Sequence, residues 1–157
     1  ENNVEFEDRI CQYFERSPLG PKIKLHIGDA KEVISQLDYT WDLVFIDAEK
    51  EDYQAYYDLV LPKVRKGGFI LVDNVLWNGK VTKDVAHNDK DTKAILAFNE
   101  FIQQDERVRN LLLPFRDGIM IIEVRKDTLL KEEYLRFKLY KEKTYGISKL
   151  MYYKNGD

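Results

Sequence analysis

Apolar residues recur along this chain in two patterns, one with the 3.6-residue period of a helix and one in short continuous runs. Phe6, Ile10, Cys11 and Phe14 share a helical face, which predicts a helix over residues 5–16. Ser17-Pro18-Leu19-Gly20-Pro21 ends it. Residues 22–27 alternate polar and apolar and predict a strand; Gly28-Asp29-Ala30 then opens a helix reaching about Leu37. The run from Leu43 to Ile46 predicts a strand over 42–47. Glu51 and Asp52 begin a helix whose apolar side carries Tyr53, Tyr56, Tyr57, Val60 and Leu61, and acidic residues suit that end of a helix dipole. Gly67-Gly68 predicts a turn before a strand over 69–73. Residues 75–90 predict a surface loop long enough to be functional, and 91–104 a helix through Ile95, Phe98, Phe101 and Ile102. Two last strands, 108–113 and 119–125, flank Pro114-Phe115-Arg116-Asp117-Gly118, and the Asp-Gly pair marks an antiparallel hairpin.

Helices alternating with strands predict an α/β fold with a mostly parallel sheet, closed here by an antiparallel hairpin. Residues 1–125 form the patterned domain. Residues 126–157 read as a basic, aromatic-rich tail with a helix-like stretch, DTLLKEEYLRFKLYKEK. The chain opens on Glu1, without an initiator Met and close to a helical pattern. That start reads as a fragment or a processed chain whose sheet lacks its first strands.

Chemistry enters at the strand ends. A run of four apolar residues rich in β-branched and aromatic types suits a strand buried on both faces, and polar ligand groups gather at the carboxyl ends of parallel strands. The first such run meets Asp47, and Phe69-Ile70-Leu71-Val72 meets Asp73-Asn74. Two carboxylates and an amide oxygen on one rim suit a hard divalent cation such as Mg²⁺, Ca²⁺ or Mn²⁺. An Asp after a strand is also a common helix N-cap, and Gly28-Asp29 is also a plain turn.

Composition narrows the picture. The net charge of −3 argues against a general nucleic-acid binder, and no apolar run approaches the ~18 residues of a membrane helix. The tail holds eight Lys/Arg against five Asp/Glu, leaving the acidic excess in the rest of the chain. A single cysteine, Cys11, allows no internal disulfide, which fits a reducing, cytoplasmic setting, and its helical position predicts a buried thiol. His26 alternates outward with Lys22 and Lys24, as a solvated strand residue does. Trp41 reads as an aromatic lid on the core.

Four segments, IKLHIGDA at 23–30, DLVFIDAEKEDY at 42–53, GGFILVDNVLWNGKV at 67–81 and LLLPFRDGIMII at 111–122, resemble class I S-adenosylmethionine-dependent O-methyltransferases of the metal-dependent catechol and caffeoyl-CoA type. The similar stretch covers roughly residues 1–125, which the resemblance implies are the C-terminal portion of a methyltransferase domain. The resemblance implies a Rossmann-like methyltransferase fold that methylates a phenolic hydroxyl of a catechol-like small molecule with a divalent metal. It implies Asp47, Asp73 and Asn74 as metal ligands, and Lys50 beside the reacting hydroxyl, with Asp47 also counted as catalytic and cofactor-binding. Asp29 and Ala30 would hold the adenine of S-adenosylmethionine and Glu1 the ribose hydroxyls. Asp117 would border the substrate pocket; Trp77 and Arg116 would line it, or serve as core packing and a surface charge. A phenol titrates near ~10, so chelation to a metal is what would make it a usable nucleophile at neutral pH. A small-molecule substrate and a homodimer are the expected partners.

The chain departs from that family in one place. The E-x-G-x-x-x-G loop, which passes under the methionine part of the cofactor, has no match among the eight glycines. A catalytically silent binding or interaction module therefore stays open as a second reading. A receiver-type signalling domain also shares a strand ending in Asp, but its early Asp pair and later Lys-Pro are missing. The absence of G-x-G-x-x-G speaks against a dinucleotide oxidoreductase.

Overall fold

The computed structural model describes residues 1–125 and, beyond them, the backbone of three strands at 133–134, 137–145 and 148–155. Four α-helices, α1 (Glu7–Glu15), α2 (Ala30–Gln36), α3 (Tyr53–Val60) and α4 (Lys90–Gln104), accompany a four-stranded sheet. Its strands are β1 (Trp41–Ile46), β2 (Val64–Val72), β3 (Val108–Leu113) and β4 (Ile119–Val124), in the order β1-β2-β4-β3. β1 runs parallel to β2, while β4 is antiparallel to both β2 and β3. Three strands thus share a direction and one is reversed, as the alternation and the closing hairpin predict.

Side-chain alternation decides which face is covered. Ile46, Ile70, Val72, Met120 and Ile122 point into a core completed by Tyr53, Tyr57 and Val60 of α3 and by Phe98 and Ile102 of α4. Phe98 receives Tyr53 and Tyr57 edge-on, with ring centroids 5.7 and 6.2 Å apart. α4 is fixed at its start by the Asp89 carboxylate, which accepts the Thr92 N–H at 3.1 Å. Such a cap is worth ~1 kcal/mol. On the opposite face Leu43, Phe45 and Phe69 stay open to solvent, so β1 and β2 are not buried on both faces as their continuous apolar runs suggest: α3 and α4 cover one face only.

Four further expectations are corrected. Residues 22–27 form no strand: Gly20–Lys22 is a 3₁₀ turn, and a strand needs a neighbour to pair with. Glu1 supplies one rung of such pairing, donating its amino group to His26 O at 3.3 Å and accepting the Gly28 N–H at 2.9 Å. His26 itself is exposed, as its alternation predicts. Gly67-Gly68 is no turn before a strand but lies inside β2, which starts at Val64. Gly67 takes φ 71°, and a Cβ on Gly68 would meet Asp42 O of β1 at 2.9 Å, so the pair is where β2 kinks and closes on its neighbour. The register shift between Trp41 and Leu43 lies opposite that kink.

Cys11 is exposed, not buried, because α1 carries no buried residue at all. The helical tail is the fourth correction. Its described parts are strands, β5 (Glu133–Tyr134), β6 (Phe137–Tyr145) and β7 (Ser148–Asn155), in one antiparallel sheet with Leu139 opposite Tyr153. A segment rich in aromatic residues gains more from a pleated ladder with a neighbour than from an isolated helix. The other residues of that tail lie outside the described ones. Among the described residues no helix is long and apolar enough to cross a membrane.

Candidate functional site

The parallel register sets Ile46 beside Val72, so the residues that follow them, Asp47 and Asp73, leave the sheet on the same rim. The Asp73 N–H still reaches back to Ile46 O at 3.1 Å, which ties the two strand ends together. Neither carboxylate caps a helix: the cap positions of α1 to α4 are Phe6, Asp29, Asp52 and Asp89. The plainer explanation for two strand-end aspartates is therefore removed. Asp73 Oδ1 accepts the Asn74 N–H at 2.7 Å. Asn74 sits at φ 61°, in the left-handed region that Asn tolerates better than most residues.

Lys50 draws these groups together. Its side chain lies on the 3₁₀ turn Lys50–Asp52 between β1 and α3 and is 9% exposed. The ammonium donates to Asn74 Oδ1 at 2.9 Å, to the Tyr53 hydroxyl at 2.5 Å and, more loosely, to Asp47 Oδ1 at 3.4 Å. Three N–H donors meet three acceptors, which is what a nearly buried ammonium requires. It also lies 4.7 Å from the Tyr53 ring centroid and 5.4 Å from that of Trp77. The Tyr53 hydroxyl in turn donates a hydrogen bond to Asp73 O at 3.0 Å. Burial pushes the Tyr53 phenol above its ordinary value, so the hydroxyl stays a neutral donor at physiological pH.

Tyr53 is the residue that the sequence pattern assigned to the core alone. Its spacing was the available signal, since position i+3 from Lys50 at a helix start turns to the same side.

The other expected residues form two further groups. Arg116, Asp117, Phe115 and Ile119 of the β3–β4 hairpin, with Asp73 and Asn74, line a cavity of about 260 Å³ at the rim. Arg116 is exposed at φ 51°, and Asp117 O accepts the Leu76 N–H at 2.7 Å, locking the hairpin to the segment after β2. Phe115, 53% exposed, was not among the expected residues. Trp77 lies beside Lys50, with Lys80 at 5.9 Å on its ring, and its buried Nε1 has no acceptor among the described residues. Glu1 and Asp29 meet at Gly28: Glu1 O accepts the Gly28 N–H, and the Asp29 carboxylate caps α2 by accepting the Lys31 N–H at 2.7 Å. Ala30 is the exposed first residue of that helix. Glu1 Oε1 accepts the Asn3 N–H at 2.9 Å.

The O-methyltransferase family model matches residues 1–126. This chain belongs to the O-methyltransferase family. It is 38% identical over 125 residues to Probable caffeoyl-CoA O-methyltransferase 2 of Dictyostelium discoideum, covering 76% of this chain and 54% of that protein. It is 32% identical to Caffeoyl-CoA O-methyltransferase 5 of Nicotiana tabacum, over 68% of this chain and 49% of that one. Among solved structures, an O-methyltransferase from Bacillus cereus in complex with SAH superposes with a TM-score of 0.73 at 28% identity, covering 80% of this chain and 60% of that one. The chain spans about half the length of the curated relatives it matches.

The donor set of this O-methyltransferase rim fits a hard cation. Asp47 and Asn74 already turn oxygens toward one positive charge, the Lys50 ammonium, and the Asp73 carboxylate stands on the same strand end. Among the described residues no group of three or more His, Cys, Asp or Glu is placed to hold a metal ion by itself. Two carboxylates and an amide is a weaker, oxygen-only set, of the kind used by cations that keep several waters.

Proposed function

We propose that this chain carries the metal- and acceptor-binding part of an S-adenosylmethionine-dependent O-methyltransferase. The acceptor is a phenolic hydroxyl of a catechol-like small molecule. The observation that carries the reading is the convergence of Asp47 Oδ1 and Asn74 Oδ1 on a single ammonium, at the rim where Asp73 also ends its strand.

Asp47, Asp73 and Asn74 would hold Mg²⁺, Ca²⁺ or Mn²⁺. When bound, such a cation makes a chelated phenolic hydroxyl easier to ionise, and S-adenosylmethionine supplies a methyl group on a sulfonium centre. Glu1 supports cofactor binding as an acceptor for ribose hydroxyls, and Asp29 with Ala30 would flank the adenine. Lys50 places a positive charge at the rim, where negative charge develops on the acceptor oxygen, and its burial strengthens that interaction. Phe115 and Arg116 offer the acceptor an aromatic face and a cation, while Asp117 holds the hairpin in place through its backbone. Rate enhancement from such a site rests mainly on positioning. The partner is a small molecule rather than nucleic acid or membrane, in a cytoplasmic homodimer.

Radiolabelled methyl transfer from S-adenosylmethionine to a panel of catechols, with and without Mg²⁺, tests this. Cation-dependent labelling of a catechol is expected. In the full-length enzyme, Lys50→Ala should lower turnover far more than cofactor affinity, as for an interaction made in the transition state. Labelling that ignores the cation, or none in any condition, overturns the reading.

A further inference from the structure

Lys50 has two kinds of partner. Asp47 Oδ1 and Asn74 Oδ1 are the oxygens that a divalent cation would claim, whereas the Tyr53 hydroxyl and the ring faces of Tyr53 and Trp77 are neutral and suit no metal. A cation at the rim would take the first kind from Lys50 and repel the ammonium besides. The second kind would remain.

Tyr53 is built to stay where it is. It is fully buried, its ring meets Phe98 edge-on at 79°, and its hydroxyl proton is committed to Asp73 O. That leaves the oxygen lone pairs facing Lys50, in the shortest of the three contacts the ammonium makes. The carbonyl it holds belongs to the peptide joining Asp73 to Asn74, the residue in the left-handed conformation. One hydroxyl therefore fixes both the lysine and the peptide that aims two rim residues.

We infer that Tyr53 is a positioning residue, whose hydroxyl keeps the Lys50 ammonium at the site when Asp47 and Asn74 turn to a divalent cation. The part concerning the cation rests on the proposed function; the part concerning Lys50 does not.

The side-chain ammonium signal of Lys50 in a proton–nitrogen NMR spectrum, assigned by its loss in Lys50→Met, reads this without any measurement of activity. In the parent chain the signal should persist, shifted, when Mg²⁺ is added. In Tyr53→Phe it should broaden without Mg²⁺ and vanish with it. Phe98→Leu, which loosens the packing of the ring but leaves the hydroxyl, should keep the signal, separating positioning from mere structural support. Mg²⁺ that moves no rim signal in the parent chain overturns the metal reading, and the metal-free comparison then decides for Tyr53. An unchanged Lys50 signal in metal-free Tyr53→Phe, or its loss from the parent chain on adding Mg²⁺, overturns the inference. Should Tyr53→Phe fail to fold, 3-fluorotyrosine at position 53 decides. Its fluorine resonance must differ between the parent chain and Lys50→Met in Mg²⁺, and identical resonances overturn the inference.

In catalysis Tyr53→Phe should lower turnover about tenfold, the effect of one hydrogen bond to a charged group, with acceptor KM little changed.

Discussion

The two faces of the sheet are made from the same residue types and have opposite fates. On one, Ile70, Val72 and Ile122 are fully buried beneath α3 and α4, and the aromatic rings of Tyr53, Tyr57 and Phe98 interlock. On the other, Leu43 and Phe45 alternate with the core-facing Val44 and Ile46 along β1 and are 55% and 57% exposed. Sequence composition does not separate the faces. What separates them is whether an amphipathic helix follows at the right distance to cover the strand: α3 follows β1 and α4 follows β2 on the same side, whereas α1 buries none of its own residues. The functional rim belongs to the covered side, where Lys50 and Tyr53 are buried with the core.

The largest effect expected from this difference is at Phe98. Phe98→Ala should cost ~3–5 kcal/mol in urea unfolding, as for other buried aromatics cut to alanine. A loss below ~1 kcal/mol would mean that the helical layer is not what holds the sheet.

A smaller effect lies where α3 is tied to the end of α4. The Arg107 guanidinium, hydrogen-bonded to Asp105 at 2.9 and 2.6 Å, and the Tyr57 hydroxyl at 2.8 Å hold the Asp105 carboxyl down to about 2, against an ordinary 3.8. A carboxylate depressed in the folded state stabilises it fully above its unfolded value, near ~4, and loses that contribution as pH falls toward about 2. Asp105→Asn should therefore flatten the acid limb of stability between pH 4 and about 2, read as the urea midpoint against pH. An acid limb identical to that of the parent chain would remove Asp105 from the account.

The smallest effect is expected on the open face. Phe45→Ser should change stability by less than ~0.5 kcal/mol, as substitutions at exposed positions usually do. A cost near that of Phe98→Ala would show that something covers Phe45 in solution and would erase the contrast between the faces.

Much of this was legible in the sequence, and the reasons are local. The apolar runs ending in Asp47 and Asp73, the helical faces of α3 and α4, and the Asp117-Gly118 hairpin each depend on residues close together in the chain. Their periods and turn chemistry hold in almost any surroundings. So the chain's own order of residues determined a mixed sheet with one reversed strand and a rim bearing two carboxylates and an amide, though only the β1–β2 ladder is parallel where a mostly parallel sheet is expected. Only the tertiary structure decided the rest. Residues 22–27 carry a strand's alternation but, among the described residues, join no ladder beyond the contacts with Glu1, because a ladder is a property of two segments. Cys11 has a helical face with nothing buried on it, and the aromatic tail pairs as strands where a helix was expected. Tyr53 shows the same limit at the site. Its periodicity placed it in the core and its i+3 spacing from Lys50 is local, but its hydroxyl meets Asp73 O only because β2 returns beside β1, and a hydrogen bond across 20 residues of chain leaves no mark in local sequence.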